Sequence, residues 1–327
     1  MMMDSLIDWF GQAQTSLFEA VVQPVMFHAG LGNFLEDGFN GTGWLLVGLI
    51  QLAVMVAVFG PLQRLWPAEP MRDRAAVRTD IFYTLLHRLG LVRVALFFLV
   101  DPLFDELFGH LRVAGWQTFH LDELWPGITD LPWVSLALYL VAFDFVGYWV
   151  HRAQHQSELW WRLHSLHHSQ RQMTMWTDNR NHLLDDLLGD CILVVVSQLI
   201  GIAPGQFVAV VAITQLSENF QHANLRCWFG RWGERLWVSP RFHRMHHAIG
   251  IGHEFRGRTG RPVFGGCNFG VLLPWWDMLF RTANFELRFE PTGVRDQVEP
   301  GPQGLRDYGQ GFLAQQWLGL KRLFGRA

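Results

Sequence analysis

The placement of histidine restricts this chain more than any other feature. Eight of its fifteen histidines fall in three five-residue windows. These are His151-Arg-Ala-Gln-His155, His164-Ser-Leu-His167-His168 and His243-Arg-Met-His246-His247. On a helix, residues at i, i+3 and i+4 share a face, so each window aims its imidazoles at one place. Two triads and a pair exceed the ligand set of a single tetrahedral ion. They suit two metals, each with several nitrogen ligands and an open position. One histidine near a membrane helix is usually a polar anchor, and a lone His-x-x-x-His pair is weak. Two His-x-x-His-His triads beside such a pair form a metal-ligand pattern.

The rest of the chain is unusually apolar. Half of its 327 residues are hydrophobic, 16 are Trp, 26 are Phe, and only 17% are charged. Soluble domains carry nearer a quarter charged residues, and abundant aromatics suit membrane interfaces. The net charge of −3 gives no reason to expect a polyanion, so nucleic acid is not a predicted partner. Apolar runs at 43–60, 81–100, 131–150, 183–202 and 206–220 predict four to five spanning helices. Ala203-Pro204-Gly205 marks a turn between the last two. Residues 1–42 hold five acids and no Lys or Arg, and 101–130 hold six acids and one Arg. Residues 61–80, 151–182 and 221–262 hold four, four and eight arginines. The positive-inside rule then places the basic segments, and every histidine window, on the cytoplasmic face. The predicted fold is an all-α integral-membrane bundle with a cytoplasmic, histidine-rich helical di-metal domain. Cys191, Cys227 and Cys267 have no paired spacing and predict no disulfide.

Further residues join by phase. Asp144, Tyr148, His151 and His155 form one helical stripe, which makes Asp144 and Tyr148 site candidates. Acids inside spans are commonly functional, and Asp144 is expected either to orient a ligating imidazole or to take a hydrogen bond or ion pair from a buried Arg. His222 ends the last run and His182 starts the hairpin, and both are candidate ligands. His28, His87, His110, His120 and His253 lack partners in sequence and read as ordinary polar residues.

Several stretches resemble the fatty acid hydroxylase/sterol desaturase superfamily of membrane di-iron enzymes. Asp144-Phe-Val-Gly-Tyr-Trp-Val-His151-Arg-Ala-Gln-His155 is similar to its first box. Trp161-Arg-Leu-His164-Ser-Leu-His167-His168-Ser is similar to its second. Gln221-His222-Ala-Asn and Ser239-Pro-Arg-Phe-His243-Arg-Met-His246-His247 resemble its final region. Asn268-Phe-Gly270 and Trp276-Asp277-Met-Leu-Phe280-Arg-Thr282 resemble its closing signature. Two features depart from it: His182-Leu183 stands where many relatives have His-Pro, and 250–267 is long and rich in Gly and Arg. The resemblance implies two iron ions held by histidines, O2 as co-substrate and an external electron donor (a cytochrome, ferredoxin or reductase). It implies hydroxylation or desaturation of a membrane lipid, with bacterial inner-membrane residence.

The chain divides on this reading into an N-terminal membrane region (1–130), a catalytic domain (131–283) and a tail (284–327) that either lies in the interface or packs on the domain. The rival readings are a membrane zinc hydrolase and a metal transport or storage protein. Against the first, His253-Glu254 is not completed to His-Glu-x-x-His. Against the second, the clusters lie at span ends rather than mid-membrane.

Overall fold

The computed structural model describes residues 2–92, 100–253, 256, 260, 265–301 and 304–325. Helices dominate among them, with only isolated β-bridges besides. Helix α1 covers Met2–Leu17 and α2 Leu35–Val54. The latter continues through a π-turn at Met55–Phe59, so the helical path runs Gly32–Leu65. Next come α3 (Arg74–Arg88), α4 (Asp101–Val113), α5 (Pro132–Gln156) and α6 (Glu158–His168). Then follow α7 (Leu183–Ile200), α8 (Pro204–His222), α9 (Pro240–His246), α10 (Trp275–Leu279) and α11 (Phe312–Leu323).

Two helical stretches, Gly32–Leu65 and Pro132–Gln156, are long and apolar enough to cross a membrane. Their outward faces carry Val56, Leu49, Phe145 and Trp149, as lipid contact requires. The predicted 183–202 and 206–220 segments form a helical hairpin, turned by Gly201 in the left-handed conformation. Neither arm meets the spanning test among the described residues. The reason for α7 is compositional: it carries Asp185, Asp186 and Asp190 on the side that builds the site. The expected 81–100 span falls partly on residues 93–99, which lie outside the described residues.

Tertiary anchors set the site in place. The closing segment folds beneath α5, where Asp144 accepts from Leu272 N–H (2.6 Å), Leu273 N–H (3.3 Å) and Trp276 Nε1–H (2.8 Å). Asp277 accepts from the N–H groups of Phe269 (2.9 Å) and Gly270 (2.7 Å). Gly270 is needed here because a Cβ would lie 2.8 Å from Leu273 O. The C-terminal tail packs on the domain. Its Phe312 ring meets Tyr83 at 4.9 Å, and Gln316 donates to the Asn181 carbonyl (2.9 Å). The other face of α11 leaves Leu313 80% exposed and Trp317 60% exposed.

Asp144 is therefore an anchor for backbone and indole N–H groups, not a partner to an imidazole or to a buried Arg as expected. Its carboxylate serves three buried donors instead. Asp144→Ala strands them, and each orphaned donor costs ~1–3 kcal/mol. Thermal unfolding in detergent should show a clearly lowered midpoint. A wild-type midpoint would refute the anchoring role.

Candidate metal centre

Local sequence explains how each histidine is presented. His151 and His155 sit one turn apart at the end of α5. Ser157 then caps α6, its hydroxyl accepting from Trp160 N–H (3.3 Å). Ser239 caps α9 in the same way, accepting from Phe242 N–H (3.1 Å), with Pro240 at the first helical position. Both caps are hydroxyl side chains of the type that satisfies orphan helix donors.

The three windows converge on one centre that divides into two groups of four. His151, His155, His164 and His168 form the first, and His167, His222, His243 and His247 the second. Within each group the ligand nitrogens all lie within 4.8 Å of one another. His246 stands beside the first group, its ring 4.4 Å from His151, 4.6 Å from His155 and 4.7 Å from His168. All nine are candidate ligands, and the structure brings all nine together.

Four of these rings are oriented by their Nδ1 atoms. His151 Nδ1 meets Phe269 O at 3.0 Å, His246 Nδ1 meets Cys267 O at 2.7 Å, and His222 Nδ1 meets Glu218 O at 2.8 Å. His164 Nδ1 meets the Asp185 carboxylate at 2.9 Å. A donating Nδ1–H leaves Nε2 as the lone-pair nitrogen, which points each ring at a metal.

The remaining nitrogens have no good protein partner. His155 and His168 set Nε2 against Nε2 at 3.1 Å. In the second group, Nε2 of His222 lies 3.1 Å from that of His167 and 2.9 Å from that of His243, which in turn lies 3.1 Å from that of His247. A neutral imidazole has one N–H, and His222 spends its proton on Glu218 O. Its Nε2 lone pair therefore faces two other buried nitrogens. His164 Nε2, His246 Nε2 and the Nδ1 atoms of His155, His167, His168, His243 and His247 are buried without any hydrogen bond. Such crowding is costly in an apolar interior. A cation at the middle of each group relieves it, so the donor set fits two metal ions held by imidazole.

Protonation agrees. Burial, and then the neighbouring imidazoles, hold His167, His168, His243, His246 and His247 well below the ordinary histidine range. They are neutral, as metal ligation requires. The unfolded metal-free chain binds protons near pH ~6.5 while these folded rings do not. Stability is then fully present above that pH and lost as pH falls. The metal-free protein should melt at a lower temperature at about pH 5.5 than at about pH 7.5. Equal midpoints would contradict the neutral cluster.

Two other candidates lie apart. His182 caps α7: its Nδ1 accepts from Leu184 N–H (3.2 Å) and its Nε2 meets Gln316 O (3.0 Å). Both nitrogens are committed, which corrects its reading as a ligand. The Tyr148 hydroxyl pairs with Thr282 Oγ1 (3.1 Å) and accepts from Arg152 (3.0 Å), away from the metal groups.

Two site residues escaped spacing arguments. Asp185 holds His164, and its only trace in sequence is an acid pair opening an apolar run. His253, which reads as an ordinary polar residue, stacks on His155 (5.0 Å) and meets Trp161 (4.4 Å). Its Nε2 is buried without a partner, and burial pushes its pKa down to about 3.

A cavity of about 380 Å³ reaches the centre from between α2, α5, α7 and α8. His151, His164, His167, His222 and His243 border its inner end, while Trp44, Val47, Leu193 and Phe207 line it further out.

Two all-histidine groups at the end of a partly apolar cavity form a candidate dinuclear metal centre among apolar helices. The sequence model described as Fatty acid hydroxylase matches residues 136–282, which hold all nine candidate ligands. The chain thus carries a fatty acid hydroxylase domain, and the proteins it is similar to are oxidoreductases. It is 26% identical to an ornithine lipid hydroxylase of Rhizobium tropici, over 93% of this chain and 85% of that protein. It is 29% identical to an alkylglycerol monooxygenase of Caenorhabditis elegans, over 55% of this chain and 32% of that one. It is 24% identical to a Δ7-sterol 5(6)-desaturase of Gibberella zeae, over 47% and 44%. The chain thus spans less than half of the last two proteins. No solved structure matches.

Proposed function

We propose that this protein is a membrane-bound di-iron enzyme that uses O2 to oxidise a C–H bond of a lipid. The observation that carries this reading is the pair of four-histidine groups at the inner end of the cavity. Neutral imidazole suits iron among other metals. The nine histidines would hold two irons, which supply O2 activation when bound. The protein's own residues place the substrate and exclude water. The cavity walls admit a lipid chain from the bilayer, and the buried rings keep solvent from the reacting carbon.

Hydroxylation adds one oxygen atom to the lipid and releases the other as water, consuming two electrons and two protons. The electrons are supplied by a separate cytochrome, ferredoxin or reductase. The likeness to the ornithine lipid hydroxylase, which runs along nearly the whole chain, supports a polar membrane lipid as substrate and hydroxylation as outcome. The catalytic unit is residues 131–283. Loop charge supports a multi-pass inner-membrane protein of four to five spans with the metal centre on the cytoplasmic side.

The test joins metal analysis to lipidomics of cells with and without the gene. Two irons per chain and an O2-dependent gain of one oxygen in a lipid are expected. Loss of two hydrogens would make the enzyme a desaturase. Zinc alone with hydrolytic activity would overturn the reading.

A further inference from the structure

We propose that the inner end of the cavity is a subsite for a cationic lipid head group, with Glu218 as its principal partner. The oxidised carbon then lies beside an amine rather than far along an acyl chain. This rests on the lipid-oxidation reading and adds the substrate's chemistry to it.

The cavity wall is graded along the helices that build it. On α8, His222, Glu218, Thr214, Val211 and Phe207 all face the cavity. Their spacing of three or four residues keeps them on one side of the helix. At 1.5 Å per residue, Glu218 lies about 6 Å along the axis from His222, and Phe207 about 22 Å. Helix α7 repeats the gradient: Asp186 and Asp190 line the inner part, and Leu193 and Val194 the outer. Helix α2 contributes Gln51 at the middle and Trp44 beyond it. The wall therefore runs from acidic at the metals, through amide and hydroxyl groups, to hydrocarbon. A pocket for mid-chain oxidation of a fatty acid would carry hydrocarbon at the metals.

Most of the inner acids are already employed. Asp185 accepts from His164, Gln154 and Trp160. Asp178 accepts from Asn219 and Asn179 and lies 3.6 Å from the Arg88 guanidinium. Asp144 serves Leu272, Leu273 and Trp276. Glu218 differs: it lines the cavity, and its carboxylate has no hydrogen bond to any described residue. One Asp186 oxygen is likewise without a hydrogen bond, with only His87 nearby at 3.4 Å.

The cation side of the ledger is short. Among the described lining residues, Arg88 is the one fixed cation. It donates to Asn219 Oδ1 (2.8 Å), and its one charge is shared between Asp178, at 3.6 Å, and Glu218. One guanidinium for two buried carboxyl groups leaves negative charge short of a partner, which is costly in an apolar setting. An ammonium entering along the apolar wall supplies the second positive charge and the hydrogen-bond donors that Glu218 lacks.

The experiment measures binding to the metal-loaded protein in phosphatidylcholine nanodiscs. The probes are N-palmitoyl-ornithine with a free side-chain amine and its Nδ-acetyl derivative. The wild type should bind the amine at least about tenfold more tightly, a modest value for a desolvated charge pair. Glu218→Gln should reduce that preference to within about threefold, Asp186→Asn should narrow it less, and Glu218→Asp should keep most of it. Unchanged metal content and monodispersity would show that each variant is folded.

Equal wild-type affinity for the two probes would overturn the proposal whatever the variants do. So would a folded Glu218→Gln protein that keeps the full preference while kcat falls, since that marks a proton relay. Selectivity is read without turnover. Failure to oxidise any lipid would therefore count against the oxygenase reading and not against the subsite.

Discussion

His222→Ala is expected to leave one metal ion per chain in place of two and to lower lipid oxidation by more than about 100-fold, beyond the effect of losing an outer-shell partner. The ring belongs to the second group, where its Nε2 lies 3.1 Å from that of His167 and 2.9 Å from that of His243. Without it, His167, His243 and His247 remain, a set one nitrogen poorer. The first group shares none of those four residues, so its ion should stay. The fold should survive, because α8 keeps its neighbouring contacts. Gln221 still donates to Val271 O (2.7 Å) and Asn219 to Met175 O (3.2 Å). Metal per chain by mass spectrometry, read beside product formation, checks the claim. His120→Ala is the control, since its ring meets only the Gly201 carbonyl (3.1 Å), remote from the centre. Two metals and normal product from a folded His222→Ala protein would remove His222 from the ligand set.

The candidate ligands were legible because helical spacing is a local rule. Their division between two groups was not. From spacing, each triad aims at one place, yet His164 and His168 serve the first group while His167 serves the second. Adjacent helical residues point about 100° apart, so His167 and His168 diverge. Which direction each metal lies in depends on α5, α8 and α9, whose docking is tertiary.

Asp144 shows the opposite limit. It does share a helical stripe with His151. Seven residues of rise separate them by about 10.5 Å, however, too far for direct contact. Phase without axial distance overstated the pairing. His182 illustrates a third limit, because a histidine opening a helix can cap it, and capping consumes the ring nitrogen that a metal would need. The expected membrane hairpin was legible as two helices, but the acids that α7 spends on the site weaken its hydropathy.

Asp185→Asn should weaken metal binding in the first group by about 10–100-fold, the range for an outer-shell partner of a ligating histidine. Asp185 joins three helices through one carboxylate. It meets His164 Nδ1 at 2.9 Å, accepts from Gln154 Nε2 at 2.8 Å and from Trp160 Nε1 at 2.6 Å. Its carboxylate fixes the tautomer of His164, so that the unpartnered Nε2 faces the candidate metal site. Asparagine keeps an acceptor oxygen but loses the charge and turns an NH2 toward groups that themselves donate. Asp185→Ala goes further, leaving the buried His164 N–H and two half-buried donors unsatisfied, with the buried one costing ~1–3 kcal/mol. The measurement is the rate of iron loss to a water-soluble chelator, with activity followed in parallel. Excess iron should restore activity to Asp185→Asn but not to His164→Ala, because the first retains its ligand and the second does not. Asp185→Glu should retain most of the wild-type affinity. If Asp185→Asn releases iron no faster than the wild type, the carboxylate merely packs the three helices, and the His164 orientation must come from the helix itself.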